Sequence, residues 1–218
     1  MSQTYGKTSW KRFALVMVPS IAATAAIGVG LASSALAASF SVSGMKFKVT
    51  ADDLDGTNFA QYGDVVSGSG AAHPVAISAF DTASIQHLCQ SVPIPVPGLG
   101  TYILKLHAGN GATDPVTATN LMIGLDSLNA DAQFDNGLKT DDPNYNKVNG
   151  INIGQDAATL PGHAQGMSSM FGQSAPHAHL TNVQQTAWST SAGTFKLPGL
   201  HLTVTSAAAP GDDAKECY

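Results

Sequence analysis

The residues best suited to chemistry lie in one stretch, Gly162-HAQGMSSMFGQSAPHA-His179, which holds three histidines and three serines. Hydrolysis by a serine nucleophile requires a histidine base, a carboxylate that orients the base, and N–H donors for the oxyanion. The stretch offers Ser168, or its neighbour Ser169, as nucleophile, His177 as base and Asp156 as the orienting carboxylate. The alternative interpretation is a polar surface loop in a serine-rich protein.

The usual sequence mark of a nucleophilic serine on an α/β-hydrolase sheet is G-x-S-x-G. The nearest fragment is Gly166-Met-Ser168-Ser-Met170, in which methionine replaces the second glycine. The chain also lacks the alternation of strand and helix patterns on which that fold depends. Any ester hydrolysis by this chain would therefore use another scaffold.

Two histidines, in His177-Ala-His179, have the spacing that places both imidazoles on one face of a strand. Such a pair could contribute to a metal site, but a third ligand would have to come from elsewhere. The acidic run Asp52-Asp53-Leu-Asp55 lacks the Asp/Asn and Gly spacing of an EF-hand loop. The sequence therefore assigns neither a metal nor a cofactor.

The elements that would position these residues are strands, because the dominant hydrophobic period after residue 38 is two. Phe40 and Val42 alternate with serines, and beyond Gly44 the apolar phase moves by one residue, as at a β-bulge. Further alternating runs are Val75/Ile77/Ala79, Tyr102/Leu104/Leu106, Leu121/Ile123/Leu125 and Leu128/Ala130/Ala132/Phe134. Short strands separated by turn residues predict an all-β domain.

The end of the chain repeats its beginning, since Thr194-FKLPGLHLTV-Thr205 aligns without gaps on Ser39-FSVSGMKFKV-Thr50. Both copies change phase at a glycine, Gly44 in the first and Gly199 in the second. The likeness reflects either a shared strand pattern or a pseudo-repeated architecture, and it favours a sandwich or a solenoid-like domain. One long irregular region is predicted at residues 136–178.

Residues 1–37 have the features of an export signal. Lys7, Lys11 and Arg12 precede an apolar run that ends in the cleavage pattern Ala35-Leu36-Ala37. Because the apolar run is long, an uncleaved membrane anchor is the rival interpretation. Cleavage after Ala37 would leave residues 38–218 as one all-β mature domain, a size at which one hydrophobic core is sufficient.

The charge of the mature part limits its partners. Seven basic and fifteen acidic residues remain after residue 37, so the net charge is −8, and no arginine is left. Such a surface repels nucleic acid and anionic membranes. Cys89 and Cys217 are the only cysteines, and in an exported chain they are expected to form a disulfide.

Several segments carry a family resemblance: Lys11-RFALVMVPSIAATAAIGV-Gly30, Ala37-ASFSVS-Gly44, Leu88-CQS-Val92, Gln185-TAWSTSAGTFK-Leu197 and the terminal Glu216-Cys-Tyr218. They resemble a group of small exported actinomycete proteins commonly labelled cholesterol esterase, and the likeness extends over essentially the whole chain. The resemblance implies hydrolysis of a sterol ester to sterol and fatty acid. It carries over no catalytic residue, so Ser168, His177 and Asp156 rest on the local argument alone.

Two functions are compatible with these observations. The first is a secreted sterol esterase, for which the substrate is an apolar lipid that needs a long apolar cleft. The second is a non-catalytic exported module that binds lipid or associates with the cell envelope. A serine within hydrogen-bond reach of a histidine whose other nitrogen contacts a carboxylate would favour the esterase.

Overall fold

The computed structural model describes residues 44–68 and 71–218, which form nine strands and four short 3₁₀ turns. The predicted signal segment 1–37 and its cleavage site after Ala37 lie outside the described residues. The prediction of an all-β domain is confirmed. The strands are β1 (Phe47–Gly68), β2 (Ala71–Gln86), β3 (Leu88–Val96), β4 (Gly100–Ala108), β5 (Val116–Asp135), β6 (Asn152–Asp156), β7 (Phe171–Ser191), β8 (Thr194–Lys196) and β9 (His201–Ser206). The 3₁₀ turns are Gly111–Thr113, Tyr145–Lys147, Ala157–Thr159 and Asp212–Ala214.

Within the part of the chain that the structure describes, no helix has the length and apolar character needed to cross a bilayer.

Four long strands form a closed ring. β1 pairs antiparallel with β2 on one side and with β7 on the other. β5 pairs with β2 through its first half and with β7 through its second half. The ring β1–β2–β5–β7 therefore closes on itself, and most of its strand edges are paired.

Strands β3, β4 and β9 extend the sheet at the end of the ring where β1 begins. β3 continues the line of β2 after His87, whose φ of +49° marks an irregular step, and β3 also pairs with the start of β1. β4 pairs with β3, and β9 pairs with β4. β9 is the last strand in this direction and is therefore an edge strand.

The glycines at the predicted phase slips adopt the backbone conformation that glycine tolerates best. The φ angle is +77° at Gly44 and +62° at Gly199. In the second copy, β8 pairs with β5, and after Gly199 the chain continues as β9, which pairs with β4. The slip at Gly199 is therefore a corner at which the chain changes its strand partner. Residues 39–43 of the first copy are outside the described residues.

The predicted irregular region is shorter at its far end than the sequence suggested. Residues 136–170 follow the prediction apart from the short strand β6, but residues 171–178 belong to β7 and pair with β1. The glycine, proline and polar residues in this segment hide the alternating pattern of a strand. The segment is nevertheless a strand, because it pairs with β1 on one side and with β6 on the other. The serine- and histidine-rich stretch is therefore half loop and half strand.

The core lies inside the ring, where alternate apolar side chains of the four strands meet. Phe59 of β1 contacts both Phe80 of β2 and Phe134 of β5, with ring centroids 5.4 Å and 5.2 Å apart. A smaller cluster forms between the outer face of the ring and the turn at Ala157–Thr159, where Tyr62 and Leu160 are buried. This turn fixes the loop that carries the predicted nucleophile.

The predicted disulfide between Cys89 and Cys217 is present, with the Cα atoms 6.0 Å apart. The backbone N–H of Cys217 donates to the hydroxyl of Ser91, and Lys48 donates to the Glu216 carboxylate and the Tyr218 carbonyl oxygen. The C-terminus is therefore fixed to β1 and β3.

Candidate ligand-binding site

Asp156 organises the loop that carries the predicted nucleophile. One carboxylate oxygen accepts from the backbone N–H of Ala158 at 3.0 Å, and both oxygens lie 3.0 Å from the N–H of Ser169. Hydrogen bonds from the Ala158 and Ser169 N–H groups, and from the Ser168 side chain, lower the pKa of Asp156. Asp156 and Ser168 therefore lie together, and the carboxylate supports the loop backbone.

His177 lies between two carboxylates from neighbouring strands. Its Nε2 is 2.9 Å from Oδ2 of Asp55 on β1, and its Nδ1 is 3.0 Å from Oδ1 of Asp135 on β5. Burial opposes a charge on the ring, but the hydrogen bond and charge of Asp55 and the charge of Asp135 raise the pKa of His177. Both ring nitrogens are therefore engaged, and the side chain bridges three strands.

These contacts separate the members of the predicted triad. Asp156 makes its contacts within the loop, and His177 makes its contacts with Asp55 and Asp135. Among residues 44–68 and 71–218, no hydrogen bond joins a serine side chain to a histidine. Ser168, His177 and Asp156 therefore do not form one hydrogen-bonded unit in this structure.

A carboxylate–histidine pair that the sequence did not single out lies beside the same loop. Nδ1 of His163 is 2.9 Å from Oδ1 of Asp81, and Asn58 donates to the other oxygen of Asp81 at 2.7 Å. Burial opposes ionisation of Asp81, but the hydrogen bonds from His163 and Asn58 outweigh it and lower the pKa of Asp81. Asp81 thus orients His163 in the way that a triad carboxylate orients its base.

The two histidines of the His-Ala-His motif share the outer face of β7, as predicted. His179 contacts Asp53 through Nε2 at 2.5 Å, while His177 contacts the two other carboxylates. In the described part of the chain, no group of three or more His, Cys, Asp or Glu side chains has a geometry that could hold a metal ion. Each histidine of the motif instead makes its own contacts with aspartates.

The ring encloses a cavity of about 160 Å³, and all four ring strands line it. Its walls are mainly apolar and include Leu54 and Phe59 of β1, Phe80 of β2, Leu125 and Phe134 of β5, and Leu180 of β7. Apolar cavities of roughly 150 Å³ stay dry and can bind a molecule of benzene size. The interior therefore has the volume and the surface chemistry for one end of an apolar ligand.

One end of the cavity carries a row of uncharged polar groups. The Gln173 amide donates to the Gln61 carbonyl oxygen at 2.6 Å, and the Gln61 amide donates to the Ser78 hydroxyl oxygen at 2.8 Å. No described side chain supplies a donor to the carbonyl oxygen of Gln173. No Lys, Arg or His is among the described residues that line the cavity. The row can therefore hydrogen-bond an uncharged polar group of a ligand. A carboxylate would find no positively charged side chain there to pair with.

The cavity opens to solvent along the second half of β5. β5 pairs with β2 only as far as Leu125, and beyond that residue its ring partner is β7 alone. Leu128 and Ala132 line the cavity from this half and remain exposed. A ligand longer than the cavity could therefore extend outward over these residues.

Some of the residues that line the cavity were recognisable from the sequence. The runs Leu121/Ile123/Leu125 and Leu128/Ala130/Ala132/Phe134 were correctly identified as strand patterns, and most of these residues line the cavity. They belong to one strand with register shifts rather than to two strands. Gln61, Ser78 and Gln173 were missed, because isolated polar residues in strands give no local signal of a shared interior.

Comparison with known proteins gives one match. The profile of a family described as "Family of unknown function (DUF6230)" matches residues 43–218. Searches of curated proteins and of solved structures found no match.

Proposed function

The chain belongs to the DUF6230 family of unknown function, and from its interior we propose that the protein binds an apolar ligand with one uncharged polar end. The cavity inside the ring carries this proposal, because it joins apolar walls to the row of Gln61, Gln173 and Ser78. Pockets with apolar walls and a few placed polar groups are typical of small-molecule sites. Fatty alcohols and other neutral lipids have the matching chemistry.

The volume of the cavity favours this function over hydrolysis of a complete sterol ester. Pockets that enclose a drug-sized ligand measure roughly 300–1,000 Å³, and the ring interior offers about 160 Å³. A sterol ester would therefore place only one end inside. Both ring nitrogens of His177 are engaged by Asp55 and Asp135, which also argues against its use as the base of a serine hydrolase.

Binding of decan-1-ol, measured by titration calorimetry, tests the proposal. We expect decan-1-ol to bind at least about tenfold more tightly than decanoate, because a buried carboxylate would find no cation. Ala130→Phe should weaken binding of the alcohol at least about tenfold by filling the cavity. Ala112→Phe adds the same ring at an exposed position outside the cavity and is the matched control.

Failure of the wild-type protein to bind decan-1-ol would contradict the proposal. Equal loss of binding in the two phenylalanine variants would also contradict it, since only residue 130 lines the cavity.

Ester hydrolysis is the second candidate function, and the Asp81–His163 pair favours it. His163 belongs to the loop that carries Ser168 and Ser169, and its Nε2 makes no hydrogen bond with any residue that the structure describes. An oriented imidazole with one nitrogen unoccupied is the form that a general base requires. A short ester such as 4-nitrophenyl hexanoate and a cholesteryl ester are suitable substrates.

The variants His163→Gln, Ser168→Ala and Ser169→Ala test the hydrolase. Activity that copurifies with the protein and is lost in His163→Gln and in one serine variant would support an esterase. Activity that persists in all three, or none above the level of a mock purification, would leave ligand binding as the function.

We also propose that the protein is exported through residues 1–37, with cleavage after Ala37. The Cys89–Cys217 disulfide supports this proposal, because such bonds persist mainly in oxidising compartments. Mass spectrometry of protein recovered from the culture medium of a producing cell tests it. A mature N-terminus at Ala38 is the expected result, and retention of the full chain in the membrane would favour the anchor.

A further inference from the structure

Five large apolar side chains are exposed together at the end of the ring where β6 and β7 begin their pairing. Val65, Ile153, Met167, Met170 and Phe171 are between 42 % and 66 % exposed, and we call this set the entry face. Met167, Met170 and Phe171 come from the loop end and the start of β7, and Ile153 comes from β6. Contiguous exposed apolar groups of this kind mark interaction sites.

Three side chains of the entry face, Val65, Ile153 and Phe171, continue the surface that lines the cavity. Gln173 lines the cavity, and strand alternation places Phe171 on the same side of β7. Ile153 is the register partner of Gln173, so its side chain shares that side. On β1, the alternation from Gln61 brings Val65 to the same side.

This surface is uncovered in the fold. A Cβ atom added at Gly63, which lies between Gln61 and Val65 on the same side of β1, would have no neighbour within 4 Å. The loop before Phe171 is nevertheless held in place, because Asp156 accepts hydrogen bonds from the Ser169 N–H. The methionines are thus presented by a supported turn, and methionine adapts well to irregular apolar partners.

The charge distribution selects the partner. Between residues 148 and 195 the only Asp, Glu, Lys or Arg is Asp156, and its carboxylate is occupied by backbone N–H groups. The mature part as a whole carries a net charge of −8, so an anionic surface would be repelled. On the β1 side, Asp64 directly precedes Val65. An apolar tip whose neighbouring ionisable residues, Asp64 and Asp156, are both acidic is complementary to a lipid surface with no net charge rather than to an anionic one.

A second copy of the chain fits the entry face less well than a lipid surface does. β6 has five residues and a register shift between Ile153 and Gln155, so it offers little regular edge for another strand. The entry face also lacks the charged and hydrogen-bonding side chains that fix the register of protein interfaces.

We propose that the entry face docks the protein on an uncharged lipid surface, where it places the Gln173 end of the cavity next to the lipid. This inference rests on the proposed ligand binding, for which it supplies the source of the ligand. Docking buries the five side chains at the headgroup boundary and gives a neutral lipid a short path from the surface to the ring interior.

Flotation with phosphatidylcholine vesicles tests the docking. We expect the wild-type protein to float with the vesicles and the double variant Ile153→Ser/Phe171→Ser to lose at least about tenfold in partitioning. The matched control is Leu202→Ser/Val204→Ser, which removes two similarly exposed apolar side chains from β9. Thermal unfolding of all three proteins verifies that the fold is intact.

Absence of wild-type binding, or equal losses in the two double variants, would overturn the proposal. It would also be overturned if sedimentation showed a dimer of the wild type that the Ile153→Ser/Phe171→Ser substitutions, and not the control substitutions, convert to a monomer. A second copy would then occupy the entry face.

Decan-1-ol binding without vesicles distinguishes the docking proposal from the proposed ligand binding in the cavity. If the entry-face variant still binds the alcohol but not the vesicles, docking and cavity binding are distinct, whereas vesicle binding without alcohol binding refutes the cavity function alone.

Discussion

His177 illustrates what a residue type can and cannot reveal in this chain. Its place in a loop rich in serine suggested a catalytic base, whereas its partners are Asp55 and Asp135 on two other strands. Those partners lie far from it in the sequence, and only the strand register brings them together. Asp156 and Ser168 were easier to associate, because both belong to one local turn.

The ion pairs of His177 predict a pH dependence of stability. The raised pKa of His177 contributes stability that is fully present below its unfolded value, near 6.5, and is lost as pH rises through the folded value. His177→Asn should therefore show a smaller decline in the free energy of unfolding than the wild type between about pH 6 and pH 9. Urea unfolding at several pH values measures this, and His201→Asn, at an exposed site on β9, is the control.

The carboxylate of Asp135 determines where the stabilisation by its contact with His177 is lost at low pH. Burial opposes its ionisation, but the Gly137 N–H and the charge of His177 lower its pKa, so its contribution is present above about pH 4 and fades as pH falls. Parallel curves for the wild type and His177→Asn across the alkaline range would show that the ion pairs contribute nothing measurable.

At the scale of elements, alternation predicted the strands well but not their partners. The runs around Ile77, Leu104 and Ile123 are strands, and the slip at Gly199 is a real corner. Hydrophobic period reports which side of a strand is apolar, and it contains no information on which strand lies opposite. The pairing of β5 with β2 ends at Leu125, and the open edge that this leaves on β5, at the cavity mouth, is such a pairing choice.

Two glycines of β1 give a matched test of the ring packing. A Cβ atom at Gly56 would overlap the ring of Phe80, whereas one at Gly63 would meet open space. Gly56→Ala should lower the free energy of unfolding by about 1–3 kcal/mol through overpacking. Gly63→Ala should leave it unchanged or raise it by up to about 1 kcal/mol, because alanine restricts the unfolded chain. Equal effects in chemical unfolding would contradict the close approach of Gly56 to the Phe80 ring on the neighbouring strand.

For the whole molecule, the disulfide was the most predictable long-range contact, because the sequence contains two cysteines and each can pair only with the other. It joins residues separated by 128 positions, and it fixes the C-terminus where Lys48 and Ser91 also bind it. The ring itself was not predicted, because its closure depends on β1 pairing with β7.

Removal of the disulfide should be the most damaging of these changes. Cys89→Ala/Cys217→Ala should lower the free energy of unfolding by roughly 4–5 kcal/mol, the value that chain entropy gives for a loop of this length. Tyr218→Phe, which removes only the hydrogen bond to the Thr186 hydroxyl, should cost about 1 kcal/mol or less. A double variant no less stable than Tyr218→Phe would contradict a structural role for the bond.

Ring closure also determines when the molecule can fold. Leu54 in the first ring strand pairs with Leu180 in the last, so β1 has no complete set of neighbours until nearly the entire chain is present. Contacts between such distant segments form slowly, since the loss of chain entropy precedes the gain. A chain that emerges from its N-terminus would consequently stay unfolded until β7 arrives, which is the state that passage through a narrow translocation pore requires.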